Sequence, residues 1–220
     1  MTAPASVPLW MAFDPRWYRQ DYGPLHPDLE SLSDAALQHW YETQGALSGH
    51  SPNRYFSEEW YRLSCPEVMS GLATARYRSG FEHYCHTGFR TYAPHYLFSE
   101  QLYRARYPDL TDTSLQAGGY MNGYDHFLRV GDGEQRSGHT FFDPVYYLRH
   151  RPAESALAAL PPFEALLHSS PALPDTVRLS RHFDPAWYAA LRPQAVQMVR
   201  RGLAPNLLHQ FLGTFTPAFF

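Results

Sequence analysis

Three side chains that could bind a metal ion lie close together in the sequence, at His83, Cys85 and His86. Imidazole nitrogen and thiolate sulfur are ligands that zinc takes in proteins. Positions i, i+2 and i+3 do not share one face of a helix well, and the sequence has no second cluster with zinc-type spacing. The spacing therefore favours structural roles for these residues. A metal-dependent enzyme at this cluster is kept as an alternative.

The segment Gly131-Asp132-Gly133-Glu134 combines glycine with carboxylates, as ion-binding loops do. It lacks the number of ligands of a calcium loop and the lysine of a phosphate loop, so it predicts an ordinary turn. The sequence contains no nucleophile elbow, zincin helix or dinucleotide-binding glycine pattern. We therefore expect no catalytic residue, no cofactor and no resident metal.

A second type of chemistry would come from aromatic rings, which can pack against sugar rings as they do against other apolar surfaces. Five short segments each place a tyrosine directly after an aromatic residue or a leucine. Adjacent residues of a helix point in different directions, so the tyrosines are expected to be the more open members of these pairs. A carbohydrate-binding surface would use Tyr18, Tyr61, Tyr103, Tyr147 and Tyr188.

The five segments belong to a tandem repeat. Each copy starts with Phe, followed by Asp or Ser, two further residues, an aromatic residue or Leu, and Tyr. The starting residues, which are 43, 42, 44 and 41 positions apart, are Phe13, Phe56, Phe98, Phe142 and Phe183. This spacing predicts a single domain over residues 1–220 with five units, of which the fourth is degenerate. We expect the starting Phe residues to form its core together with Trp17, Trp60 and Trp187.

Each unit is predicted to contain two helices. The residue after the starting Phe can cap the first helix, and in three copies a proline follows it at the first helical position. The first helices should therefore start within two residues of Asp14, Ser57, Ser99, Asp143 and Asp184. A proline ten positions after the starting Phe ends this helix in four copies. The second helix ends at a glycine such as Gly45, a typical residue just after a helix end.

Histidines recur in the second helix, at His39, His83, His126 and His209. We expect them to be core or capping residues that bond backbone carbonyls. In the fourth copy either His168 or Phe163-Glu164 could occupy this position. Two short helices cannot bury their aromatic faces alone, whereas stacked copies can. The sequence therefore predicts an all-α fold of two-helix repeats stacked as a short solenoid-like array.

The composition argues against several classes of protein. A net charge of −3 and a pI near 6.4 argue against nucleic-acid binding, which needs a concentrated positive field. No apolar run approaches the length of a membrane span, and the first ten residues do not form a secretory signal. The two cysteines, Cys65 and Cys85, suit a reducing compartment. A cytoplasmic location is expected.

Two recurring segments of the repeat together resemble a bacterial pattern. The segment at the starting Phe resembles F-D-x-x-W-Y-L-x-x-N-P-D-V, and the segment at the histidine of the second helix resembles H-Y-L-x-x-G-x-x-E-G-R-x-P. That pattern is found attached to glycosyltransferases and other proteins of surface-polysaccharide biosynthesis. The best match runs from Phe98 to Leu110, and a further one runs from His126 through Gly131 and Glu134 to Arg136. The E-G-R element is missing from the first two copies, and these 220 residues contain no glycosyltransferase domain. The resemblance implies a repeat fold and a pathway, and no catalytic residue.

These observations predict a non-catalytic scaffold that binds a partner protein. The resemblance implies that this partner is an enzyme that builds or modifies bacterial surface glycans. The first alternative is a carbohydrate-binding module that uses the repeated aromatic residues. The second is the metal-dependent enzyme around His83, Cys85 and His86.

Overall fold

A computed structural model describes residues 7–151, 157–169 and 177–214 of the chain. In these ranges it has thirteen α-helices and no β-strand, so the predicted all-α class is confirmed. The chain forms two compact units, Met1–His95 and Tyr96–Phe220. The boundary lies between the second and third repeats, so each unit is built from whole repeats.

The first unit contains the first two repeats. Its α-helices are α1 (Pro15–Tyr22), α2 (Asp34–Trp40), α3 (Glu58–Ser64), α4 (Pro66–Ala73) and α5 (Gly80–His86). A π-helical turn, Tyr41–Gly45, extends α2, and 3-10 turns cover Leu9–Met11, Pro27–Ser31 and Gly88–Arg90. Trp10, in the first of these turns, is fully buried, and its ring contacts that of Tyr84 at a centroid distance of 4.8 Å.

The second unit contains the third, fourth and fifth repeats. Its first five α-helices are α6 (Glu100–Arg106), α7 (Asp112–Ala117), α8 (Gly123–His126), α9 (Pro144–His150) and α10 (Pro162–Ser169). The fifth repeat contributes α11 (Pro185–Leu191), α12 (Pro193–Arg200) and α13 (Leu207–Thr214). A π-helical turn, Phe127–Gly131, extends α8 in the same way that Tyr41–Gly45 extends α2.

The first helix of every repeat begins where the capping residues predict. Helices α1, α3, α6, α9 and α11 each start directly after the predicted cap. The cap oxygen accepts a hydrogen bond from a backbone N–H near the start of the helix, for example at 2.9 Å between Asp14 and Trp17. These bonds satisfy N–H groups that the helix itself leaves without a partner. The predicted helix starts are confirmed.

The prediction of two helices per repeat is wrong for the second, third and fifth repeats, which have three. Helix α3 ends at Ser64, and Pro66 then starts α4; in the fifth repeat Pro193 starts α12 in the same way. The residue before a proline favours extended backbone, and Cys65 has φ −117° and ψ 93°. Proline also fits the first position of a helix, where its missing N–H is not needed. It therefore ends one helix and starts the next.

The starting Phe residues form much of the core. Phe56, Phe98, Phe142 and Phe183 are buried as predicted, whereas Phe13 is only partly buried. In every repeat the Phe ring contacts the ring of the tyrosine five positions later, at centroid distances between 5.2 and 5.8 Å. This aromatic pair is the common centre of the five repeats.

The three tryptophans expected in the core have three different environments. Trp60 is buried, with 2% of its surface exposed. Trp17 is partly buried and contacts Tyr22 edge to face at 5.9 Å. Trp187 is 61% exposed, so its prediction as a core residue is wrong. The tryptophan precedes the buried tyrosine and therefore points to another side of the helix, where cover depends on the neighbouring elements.

The fourth repeat has its second helix in α10. Phe163 is fully buried and contacts Phe142 at 5.7 Å, as Phe81 contacts Phe56 at 5.2 Å in the second repeat. Phe163, and not the exposed His168, therefore marks the equivalent position. Residues 152–156 and 170–176, which include the proline expected to end α9, lie outside the described residues.

Candidate functional site

The tyrosine of each repeat, proposed above as a sugar-stacking surface, is buried in all five copies. The exposed fractions are 0% for Tyr18, Tyr61 and Tyr103, 4% for Tyr147 and 5% for Tyr188. A buried ring has no free face for a sugar, so the predicted carbohydrate-binding row is wrong. Each tyrosine packs against the starting Phe of its own repeat, which fixes it on the inner side of the first helix.

The tyrosine hydroxyl groups of the first, second, third and fifth repeats bond a polar side chain. The pairs are Tyr18 with His50 Nδ1 at 2.7 Å, Tyr61 with His83 Nδ1 at 2.8 Å, Tyr103 with His126 Nδ1 at 3.0 Å, and Tyr188 with Gln210 Oε1 at 2.6 Å. The prediction that these histidines bond backbone carbonyls is therefore wrong for His83 and His126. A buried hydroxyl needs such a partner, and the recurring histidine provides it.

In the first repeat a different histidine bonds the tyrosine hydroxyl. His39, which the sequence pattern selected, is exposed on α2. Five positions before the terminal glycine, where the next two repeats have a histidine, the first repeat has Trp40. His50, five positions after the glycine, bonds the Tyr18 hydroxyl instead. The chemical pair is retained although its sequence position changes.

The glycines Gly45, Gly88 and Gly131 are explained by these tyrosines. A Cβ atom at each of them would overlap the hydroxyl oxygen of the tyrosine in its own repeat. None of the three has positive φ, and Gly45 is the last residue of the π-helical turn. The prediction that such a glycine lies just after the helix end is therefore wrong for Gly45 and Gly131, which are the last residues of the π-helical turns. Glycine is required here because a tyrosine hydroxyl lies directly against the backbone.

The proposed metal cluster does not form a binding site. His83 is buried and bonds Tyr61, Cys85 is partly buried, and His86 is exposed. Burial raises the pKa of the Cys85 thiol to about 12 and lowers the pKa of His83. A thiol with this pKa supplies almost no thiolate, the form that attacks substrates and binds metals. No group of three or more metal-type side chains converges anywhere in the described ranges.

A buried and a partly buried carboxylate connect helices within the second and third repeats, respectively. Glu58 is fully buried and accepts hydrogen bonds from the first two backbone N–H groups of α5, at 2.6 and 2.8 Å. Glu100 accepts from the first two N–H groups of α8, at 2.8 and 3.1 Å. Burial raises the pKa of Glu100. Both carboxylates act as caps for a helix distant in sequence, which is a structural role.

The acidic turn at residues 131–134 has a similar role. Asp132 is buried and accepts hydrogen bonds from the N–H groups of Phe163 and Glu164, at 2.8 and 3.0 Å. Burial raises the pKa of Asp132 to about 6. The carboxylate that most resembled an ion ligand in the sequence therefore caps the start of α10 and links the third repeat to the fourth.

Arg136, the arginine of the resembling motif, fixes the loop after the third repeat. Its guanidinium lies over the ring of Tyr107 at 4.8 Å and pairs with two carboxylates at 2.7 and 2.9 Å. In the first repeat the ring of His50 stacks on Tyr22 at 3.9 Å. These loop residues hold aromatic rings of their own repeat, so they too belong to the framework.

A difference between repeats appears on the outer side of the first helix. We define the outer pair as the residues four and eight positions after the starting Phe, which are neighbours on a helix surface. The five pairs are Trp17 and Asp21, Trp60 and Ser64, Leu102 and Arg106, Tyr146 and His150, and Trp187 and Leu191. The second member is polar in four repeats. In the fifth repeat both members are apolar, and Trp187 and Leu191 are 61% and 56% exposed.

More exposed apolar side chains occur in the same repeat. Met198 on α12 is 37% exposed, and Leu203, just after α12, is 61% exposed. The backbone N–H of Leu203 bonds the carbonyl of Met198 at 2.9 Å. We call Trp187, Leu191, Met198 and Leu203 the apolar surface of the fifth repeat. The six-residue pattern does not include Leu191, but a comparison of the position eight residues after the starting Phe across the five copies identifies it.

The repeat that carries this apolar surface is positively charged. Residues 177–214 contain five arginines and a single carboxylate, a net charge of +4, whereas residues 13–55 contain three arginines and six carboxylates, a net charge of −3. Arg192, Arg200 and Arg201 are exposed and make no ion pair within the described part of the chain. The overall charge of −3 is therefore the sum of repeats with opposite net charge.

Comparison with family models, curated proteins and solved structures gave no match. The resemblance to repeats of surface-polysaccharide proteins thus stays a prediction. Among the described helices, none combines the length and apolar character needed to cross a lipid bilayer.

Proposed function

We propose that the chain is a non-catalytic helical-repeat scaffold that binds a partner protein through the apolar surface of its fifth repeat. The observation that carries this proposal is the exposed pair Trp187 and Leu191, at positions where other repeats have a polar second residue. Large exposed aromatic side chains with apolar neighbours are characteristic of the centres of protein interfaces. Two candidate chemical residues of the sequence, His83 and Asp132, are held in a tyrosine pair and in a helix cap.

The partner implied by the sequence resemblance is an enzyme that builds or modifies surface glycans. The geometry supports the binding role. An exposed tryptophan on a short helix with nearby arginines is better suited to bind a protein than a small molecule. Small-molecule sites are concave and enclose their ligand.

Photo-crosslinking tests the binding role. A photoreactive phenylalanine analogue at position 187 should crosslink one defined protein in cells, and the same analogue at the exposed Arg149 should not. The additional change Leu191→Ser should remove the crosslink at position 187 without lowering the melting temperature. Equal crosslinking from positions 187 and 149, or none from either, would show that this surface is not a binding site.

A further inference from the structure

We propose that the protein bound at the apolar surface of the fifth repeat is a second copy of this chain, which contributes its first repeat, in place of the glycan enzyme that the sequence resemblance implies. This inference rests on the binding role proposed above. It depends on two surfaces of the chain whose charges and apolar side chains are complementary. Each surface is considered within its own compact unit.

The basic partner surface is the fifth repeat. Arg200 and Arg201 follow one another at the end of α12, and Leu203 comes two residues later. Arg192 follows Leu191 directly at the end of α11. Exposed apolar and positively charged side chains thus alternate along this part of the chain. A complementary surface would offer apolar side chains among carboxylates.

The first repeat offers exposed apolar side chains and exposed carboxylates. Leu25 is 73% exposed, the largest exposure among the large apolar side chains of the described chain, and Leu47 is 59% exposed. Asp28 and Glu30, in the 3-10 turn Pro27–Ser31 that follows Leu25, are exposed and make no ion pair with any described residue. Leu25, Asp28 and Glu30 therefore lie within six consecutive residues, and Arg200, Arg201 and Leu203 lie within four.

The charges of the two repeats favour this pairing over a contact between two identical surfaces. Two fifth repeats facing each other would bring together a charge of +4 from each, and two first repeats would bring together −3 from each. Like charges placed opposite each other disfavour an interface, whereas opposite charges steer association. A contact between different surfaces leaves the first repeat free on one copy and the fifth repeat free on the other. Further copies can bind there, so assembly continues into a ring or an open chain of copies.

Sedimentation velocity of the full chain tests the proposal. The average mass should rise with protein concentration at about 0.05 M salt and fall again at about 0.5 M, because salt screens the attraction. The variant Arg200→Glu/Arg201→Glu and the variant Asp28→Arg/Glu30→Arg should each remain monomeric. An equimolar mixture of the two should associate again, because the first variant keeps the native acidic first repeat and the second variant keeps the native basic fifth repeat. Arg149→Glu is the control for added negative charge and should behave as the wild type.

Circular dichroism melting of each variant shows whether it remains folded, which is expected because the changed residues are exposed. A wild-type chain that stays monomeric at every concentration overturns the proposal, as does association that the variants leave unchanged or that mixing does not restore. Association abolished by nuclease would assign the arginines to nucleic acid instead. If the chain is monomeric while position 187 crosslinks a different protein, the self-association is wrong and the binding role stands; if it crosslinks nothing, both fail.

Discussion

The second and fifth repeats start with the same six-residue pattern, and their first helices nevertheless have different roles. In both, the tyrosine five positions after the starting Phe is buried and its hydroxyl bonds a side chain of the last helix, His83 or Gln210. One position earlier, Trp60 is 2% exposed and Trp187 is 61% exposed. The repeat pattern thus determines the inner side of the helix and leaves the outer side free to differ.

This difference shows how a repeat can keep a common framework while one copy acquires a surface. The inner side is fixed by contacts within the repeat, namely the starting Phe, the tyrosine and its polar partner. The outer side is fixed by whatever covers it, which the repeat itself does not encode. In repeat proteins each unit contacts its neighbours, so the cover of an outer side depends on which elements pack next to that unit.

The largest expected effect separates the two tryptophans. Trp60→Ala removes a buried ring and leaves a cavity, which should lower the free energy of unfolding by about 3–5 kcal/mol. Trp187→Ala removes an exposed ring and should change it by less than about 0.5 kcal/mol. Urea denaturation of both variants, with Arg149→Ala as the surface control, measures these values. Similar losses for the two tryptophans would contradict the comparison.

A second prediction tests whether glycine is needed for the inner tyrosine. Gly88→Ala places a Cβ atom on the hydroxyl oxygen of Tyr61, and overpacking of this kind costs about 1–3 kcal/mol. The variant Tyr61→Phe lacks that oxygen, so Gly88→Ala should cost clearly less in its background. A double-mutant cycle of chemical denaturation gives the coupling energy. Additive effects would show that the glycine has another role.

Some features of the fold and of the candidate surface could be predicted from the sequence, and others could not. The spacing of Phe13, Phe56 and their equivalents predicted the repeats, and the caps predicted every first helix, because both depend on residues close together in the chain. The sequence misassigned the tyrosines and Trp187, because residues i and i+1 of a helix both fit an amphipathic pattern and only packing decides which is buried. It also assigned the glycines to helix ends, since a clash between a glycine and a tyrosine 27 or 28 positions earlier has no local pattern.

The polar partners of the two tyrosines should give the second and fifth repeats different pH responses. In the tautomer with its proton on Nε2, His83 accepts a hydrogen bond from Tyr61 through Nδ1, and protonation of Nδ1 removes this acceptor. Burial lowers the pKa of His83 below its ordinary value of 6.5. The folded state therefore binds fewer protons than the unfolded state below pH 6.5, and stability falls as the pH drops further.

His83→Gln should reduce this loss, because glutamine accepts the bond without titrating, as Gln210 does for Tyr188. One histidine contributes a slope of at most about 1.4 kcal/mol per pH unit. Unfolding free energies measured between about pH 5 and about pH 8 should therefore show a shallower slope for His83→Gln. Gln210→His is the reciprocal control and should steepen the slope. An unchanged slope in both variants would exclude these two positions as its source.

The smallest effect on stability should come from Leu191→Ser, which gives the fifth repeat the residue that the second repeat has at the same outer position. Leu191 is 56% exposed, so the free energy of unfolding should change by less than about 0.5 kcal/mol. The same change removes half of the outer pair, and an interface loses much of its affinity when a central apolar contact is lost. Urea denaturation and sedimentation velocity of one preparation should thus give unchanged stability with reduced association.

Leu63→Ser, at an exposed leucine of α3 outside the outer pair, is the matched control and should change neither quantity. If Leu191→Ser instead lowers stability by more than about 1 kcal/mol, the residue belongs to the framework, and the division between a fixed inner side and a variable outer side would not hold for the fifth repeat.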